Sequence, residues 1–226
     1  MMKKILLLGA ILGVFLCTES CRNDNNSGLT IEEQNTADDE AIQNFLNDYY
    51  YTSDGNIHAY AGATEDADKP SLKSVAKENS DGSWYAVFPG APTSGEHPNG
   101  QNNILIHYRL SYFAAGEGGT YTLYNTSEST LDNQGVPKVN PYFYMKPATD
   151  TVNVESYYVV PSIVENLKNF FPSGKTLYSS YKLQGVIIVP SRLGYARKSN
   201  YLALTNATFV LNFELYQVSD DAISGL

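Results

Sequence analysis

The sequence predicts an α+β fold: an antiparallel β-sheet wrapped over one short helix, with another helix on its N-terminal side. Two observations carry this. Alternating or continuous apolar segments recur at 84–88, 104–112, 120–125, 186–189 and 207–218, as expected of strands with one or both faces covered. Between the third and fourth lies a single helical pattern. Pro161-Ser162 precede Ile163, Val164, Leu167 and Phe170, apolar at i, i+1, i+4 and i+7, with the proline placed to start the helix. Strands, one helix, then strands again define α+β with a mainly antiparallel sheet.

The N-terminus predicts export. Met1-Met2-Lys3-Lys4 is a positive n-region and Ile5 to Leu16 a short apolar run, too short to span a bilayer comfortably. Both cysteines, Cys17 and Cys21, fall in this segment, so no disulfide framework is expected in the mature body. Ser20 before Cys21 suits a lipoprotein cleavage site. Residues 1–20 are then the signal peptide and Cys21 the acylated first residue, a two-chain anchor. The Asn- and Asp-rich stretch that follows resembles lipoproteins of Bacteroidota-type bacteria. The expected location is the bacterial cell envelope, as an outer-membrane lipoprotein on its periplasmic or surface side.

Residues 21–37 are polar and aperiodic and predict a flexible tether. Asp38-Asp39-Glu40 places acidic side chains where a helix N-terminus favours them, and Ala41, Ile42, Phe45, Leu46 and Tyr49 share one helical face. Residues 38–82 are thus read as a packing helix followed by a connecting segment with one short strand and a turn at Asp81-Gly82. The main domain is placed at 83–226. Within it, Thr120–Asn125 alternates, with Tyr121, Leu123 and Asn125 on one side and Thr122 and Tyr124 on the other. Phe171-Pro172-Ser173-Gly174 ends the short helix.

Composition narrows the function. A net charge of −9 with no basic cluster beyond the first four residues argues against nucleic acid as a partner. His58, His97 and His107 lie far apart, none at ligand spacing with another His or a mature Cys, so no metal is expected. His107 on a strand predicts a core or sheet-face residue. Ser162 and Ser191 lack the G-x-S-x-G elbow of a nucleophilic serine. Gly116-Glu117-Gly118-Gly119 has no helix behind it and reads as a turn, not a phosphate loop. The carboxylates at 38–40 could suggest a glycosidase pair, but they belong to a helix start.

One constellation points further. Gly185 to Val218 holds a strand, a Pro190-Ser191 turn, Leu193-Gly194-Tyr195, a polar loop and a closing strand through Phe213-Glu214-Leu215. Together with Ile106-His107-Tyr108 on the long strand, this resembles the FKBP-type peptidyl-prolyl cis-trans isomerases over roughly residues 83–218. The resemblance implies a proline-sized pocket. It assigns Tyr108 to one wall and Tyr195 to the raised rim, and Asn125 to a position where the family carries an Asp after an aromatic, here Tyr124. Val159 and Val160 lead into the short helix, Ile163 takes the floor where the family usually has Trp, and Leu211 takes the last strand's inward aromatic position, with Asn212 in place of its Asp. Tyr108, Tyr195 and Asn125 are then the catalytic candidates. Tyr124, Val159, Val160, Ile163 and Leu211 are the substrate-binding ones.

Rotation about an X–Pro bond is slow because amide resonance must be broken, at a barrier of about 18–20 kcal/mol. A water-poor apolar pocket that grips the ring and favours the twisted amide lowers that barrier without a nucleophile or cofactor. The expected function is an envelope-anchored peptidyl-prolyl isomerase or folding helper acting on proline-containing exported polypeptides, with no cofactor and a partly altered pocket. The alternative is a weak or inactive module of the same fold that binds a peptide or envelope partner. A third reading, a carbohydrate-associated surface lipoprotein, follows from the 18 Tyr, though sheet packing uses Tyr equally well.

Overall fold

A computed structural model of the chain describes residues 28–62, 66–99, 102–125, 142–144, 160–175, 182–194 and 205–220. The first element is helix α1, Ile31–Asp48. It starts at Ile31 rather than at the acidic run, so residues 31–37, expected as tether, are helical. The cause is a capping box. The Thr30 hydroxyl accepts from Glu33 N–H at 3.2 Å and Thr30 N–H donates to Glu33 Oε2 at 2.7 Å. Glu32 and Glu33 in the first turn complement the helix dipole. Asp38 therefore lies inside the helix, on its buried face with Gln34, Ala37, Ala41, Ile42, Phe45 and Leu46.

The chain then forms a small hairpin, β1 (Tyr49–Tyr51) with β2 (Ile57–Ala59). A 3₁₀ turn at Leu72–Ser74 leads to β3 (Ala76–Glu78), β4 (Trp84–Val87) and the long β5 (Asn103–Ala114). The short β6 (Tyr124–Asn125) and β7 (Tyr142–Tyr144) both pair with β5. Of the strand expected over 120–125, only its last two residues pair. Helix α2 (Pro161–Leu167) carries proline at its start, where a missing N–H costs nothing. β8 (Gly185–Val189) and β9 (Ala207–Ser219) complete the fold.

These strands make one seven-stranded antiparallel sheet in the order β3-β4-β8-β9-β5-β6, with β7 also on β5. Strands β8 and β9 are central, and β8 is buried throughout, which explains its unbroken apolar run. A bulge between Leu105 and Ile106 sets the register of the β5–β9 pair.

Two apolar layers result. On one face α1 packs over Trp84, Ala86, Phe113, Val186, Ile188 and Val210. On the other, α2 packs over Ile104, Ile106, Ile187, Val189, Phe209, Leu211, Phe213 and Leu215. The architecture is α+β, the sheet lying over the short helix as the sequence predicts. α2 is held in place by polar contacts to the β3–β4 turn. Ser162 Oγ donates to Asp81 Oδ2 at 2.9 Å, and Asn166 Nδ2 donates to Ser83 Oγ at 2.8 Å.

Candidate functional site

The α2-side face of the sheet is built by period-two alternation. In β5, Tyr108, Leu110 and Tyr112 all pack on that side, as do Phe209, Leu211 and Phe213 in β9. Register aligns them into rows: Tyr108 opposite Phe213, Leu110 opposite Leu211, and Tyr112 opposite Phe209. The last row extends in both directions, to Tyr124 on β6 and Val189 on β8. Tyr112 and Tyr124 stack with centroids 5.6 Å apart at 24°.

Burial grades across this face. Phe209, Leu211 and Phe213 on β9 are buried, Tyr108, Leu110 and Tyr112 on β5 are half-buried, and Tyr124 on the far strand is 50% exposed. α2 repeats the gradient, with Ile163 and Leu167 buried and Val160 and Val164 half-buried. An apolar surface that stays partly accessible, edged by tyrosines that each combine a ring with a hydroxyl, suits an apolar ligand carrying a polar backbone.

Of the residues singled out from sequence, Tyr108, Val160, Ile163 and Leu211 meet in this one cluster. Tyr124 is attached to it through Tyr112. The backbone of Asn125 pairs with that of Ser111, a residue outside the α2-side cluster. Tyr195, Val159 and Cys21 lie outside the described residues. Sequence reasoning passed over Leu110, Tyr112, Val164, Leu193 and Phe209, which belong to the same cluster. For the strand residues the signal was present: Leu110 and Phe209 stand two positions from Tyr108 and Leu211, and Tyr112 follows four after Tyr108 on the same alternation.

Asn212 faces the other way and is structural. Its Nδ2 donates to Gly55 O at 3.2 Å and Gly185 O at 2.9 Å, and its Oδ1 accepts from Ile57 N–H at 3.3 Å. His107 is fully buried, opposite Glu214 in register and parallel to the Tyr216 ring at 6.4 Å. The Gly116–Gly119 stretch is a turn docked on α1, where Asn44 Nδ2 donates to Gly119 O at 3.0 Å.

Among the described residues, no ionisable group with a displaced pKa belongs to the α2-side cluster, although Asp81, pushed up by burial but held down by bonds from Ser83 and Ser162, sits at the start of α2. Burial pushes Asp38 up, against the lowering effect of hydrogen bonds from Ser191 and Gln34. Burial also raises Tyr51, whose hydroxyl donates to Ala86 O at 2.7 Å. Tyr121 is raised by burial and by its bond to Asp48 Oδ2. What the face offers is apolar contact and tyrosine hydroxyls. Among the described residues no three His, Cys, Asp or Glu side chains converge to hold a metal ion.

No protein-family model and no curated protein matches the chain. Among solved structures it is similar to the crystal structure of FkpA from Escherichia coli, at 20% identity and a TM-score of 0.36, over 64% of this chain and 52% of that one. It is also similar to a peptidyl-prolyl cis-trans isomerase from Pseudomonas syringae pv. tomato, at 14% identity and a TM-score of 0.37, over 64% and 81% of the two chains. The chain spans about half the length of FkpA.

Proposed function

We propose that this protein is an envelope-anchored peptidyl-prolyl cis-trans isomerase or folding helper for exported polypeptides, of the FKBP kind and with an altered pocket. The observation that carries the reading is the convergence of Tyr108, Val160, Ile163 and Leu211 on one partly accessible apolar cluster, although they come from β5, α2 and β9. Catalysis of X–Pro rotation needs little more than such a surface. With a proline ring held against Tyr108 and Ile163 and water kept from the bond, the X–Pro amide loses part of the resonance stabilisation that favours the planar form. A tyrosine hydroxyl at the edge would hold a substrate carbonyl, the role given to Tyr195.

The anchor is part of the proposal. Its support is the apolar run at 5–16, Ser20, and the position of Cys21 ahead of the folded region. Because α1 already begins at Ile31, residues 22–30 alone connect it to Cys21. They span at most about 30 Å when extended, which would hold the start of α1 within that distance of the anchor.

A protease-coupled assay on X–Pro peptides tests the activity. Low but measurable acceleration is expected, with Tyr195→Ala lowering turnover far more than stability, and Asn125→Asp raising turnover or leaving it unchanged. No acceleration on several peptides, with none restored by Asn125→Asp plus Ile163→Trp, would replace this reading with a peptide-binding module. Ile163 is the residue that favours the second reading: it is only 9% exposed and offers an aliphatic floor with fewer contacts than an indole.

A further inference from the structure

Gln34 and Asp38 stand one turn apart on α1 and are 3% and 0% exposed. Their side chains gather three separate chain segments at one end of the sheet. Gln34 Nε2 donates to Asp38 Oδ1 at 2.9 Å and to Ala115 O, just past β5, at 3.0 Å. Ser191, just past β8, donates to Asp38 Oδ2 from its N–H at 3.0 Å and its hydroxyl at 2.5 Å. Asn206, just before β9, donates from Nδ2 to Gln34 Oε1 at 3.3 Å. Beside them Arg192 forms an ion pair with Asp39 at 2.8 Å.

This cluster reaches the opposite face of the sheet. Ser191–Leu193 is a single 3₁₀ turn, closed by Leu193 N–H to Pro190 O and Gly194 N–H to Ser191 O, both 3.0 Å. Its first residue bonds to α1, while Leu193 packs into the α2-side cluster. A side-chain carbon at Gly194 would lie 3.0 Å from the Phe209 ring, so the turn seats directly on that ring. Apolar side chains could hold a helix on a sheet at lower desolvation cost. A buried carboxylate taking three directed bonds instead fixes one position of its partners.

We propose that Gln34 and Asp38 are positioning residues of the candidate site. Through them α1 sets the end of β8 and the start of β9, and so the placement of Leu193 and Phe209 on the substrate face. The catalytic consequence rests on the proline-pocket reading, but the structural coupling does not.

Hydrogen exchange on the full chain separates the two. Asp38→Asn keeps the volume but sets an NH₂ donor against donors from Gln34 or Ser191. It is expected to speed exchange at 191–194 and 206–209 by about tenfold or more, while residues 41–48 of α1 keep their protection. Phe45→Leu, which loosens α1 away from the cluster, should do the reverse. On X–Pro peptides Asp38→Asn should raise KM more than it lowers kcat. If the wild type shows no isomerase activity, the exchange pattern still decides the coupling. Unchanged exchange at 191–194 and 206–209, or a rise only in step with 41–48, would overturn the inference. Should Asp38→Asn fail to fold, Ser191→Ala removes one hydroxyl from the same cluster and carries the same expectations.

Discussion

Replacing Gly55 with alanine should destabilise the protein far more than the same change at the open turn glycine Gly62. Gly55 sits at φ +80° in the β1–β2 turn, and a side-chain carbon built there would lie 1.9 Å from the Leu183 carbonyl oxygen. The left-handed conformation alone costs a non-glycine residue about 1–2 kcal/mol. The contact is with backbone, so it cannot be relieved by a rotamer change, and the turn must retreat from the sheet by about 1 Å. Retreat weakens two bonds that fasten it there: Leu183 N–H to Asp54 O at 2.9 Å, and Asn212 Nδ2 to Gly55 O at 3.2 Å. At about 1 kcal/mol each, added to the conformational cost and the remaining crowding against the Leu183 backbone, the sum is about 3–5 kcal/mol. Gly62 is the matched control, at φ +69° with nothing within 4 Å of an added carbon, so Gly62→Ala bears only the conformational cost. In urea denaturation followed by far-UV circular dichroism, a slope near 2 kcal/mol per molar puts the Gly55→Ala midpoint about 2 M below wild type. Gly62→Ala should fall by less than about 1 M. Equal shifts for the two variants would show that the β1–β2 turn is not pressed against the Leu183 backbone.

Substitutions on the candidate face should separate binding from folding. Phe213→Ala, at a fully buried site, is expected to cost about 3–5 kcal/mol of stability, whereas Tyr124→Ala, half exposed and stacked on Tyr112, should cost about 1 kcal/mol and yet reduce turnover of X–Pro peptides; unchanged turnover would remove β6 from the site. Acid should act through Asp81. Burial pushes its carboxyl up, but hydrogen bonds from Ser83 and Ser162 outweigh this and hold it below its ordinary value of 3.8. A lowered pKa adds stability that is present above that value and is lost as pH falls through the folded one. Asp81→Asn should therefore be less stable than wild type at pH 6, with the gap closing below about pH 4; a gap constant over that range would contradict the assignment. Finally, Cys21→Ser should release the protein from the membrane fraction of cells, and its retention there would refute lipidation at Cys21.

Much of this was legible in the sequence, for identifiable reasons. β5, β8 and β9 declared themselves because a half-buried strand must alternate and a central one need not. The alternation over 120–125 set Tyr121 and Leu123 against Tyr124, and in the structure the first two pack with the α1-side cluster while Tyr124 stacks on Tyr112. α2 followed from its spacing and its proline. The start of α1 did not show, because its first turn has no apolar stripe: Ile31 is 65% exposed, and only the Thr30–Glu33 capping box marks it. The acidic run at 38–40 imitated a first turn more strongly than the true one. Asp38 was misread for a deeper reason. A buried carboxylate and a surface one look alike in sequence, and the partner that distinguishes them, Ser191, is 153 positions away.

The covering of the second sheet face changes what counts as the functional unit. β3 joins the sheet at Ala76–Glu78, ahead of the expected boundary at Ser83. The α1 face of β4, β5, β8 and β9 carries Ala86, Phe113, Val186, Ile188 and Val210, each buried beneath residues from 29–59 and 72–76. A chain beginning at Ser83 would turn those five side chains to water and strip Asn212 of the Gly55 and Ile57 partners that satisfy it. At about 1.5–3 kcal/mol for each large aliphatic or aromatic side chain exposed, the loss rivals the whole stability of an ordinary domain. The apolar α2-side face that forms the candidate site can stay partly open because the opposite face is closed. The helix and hairpin therefore belong to the same folding unit as the candidate site.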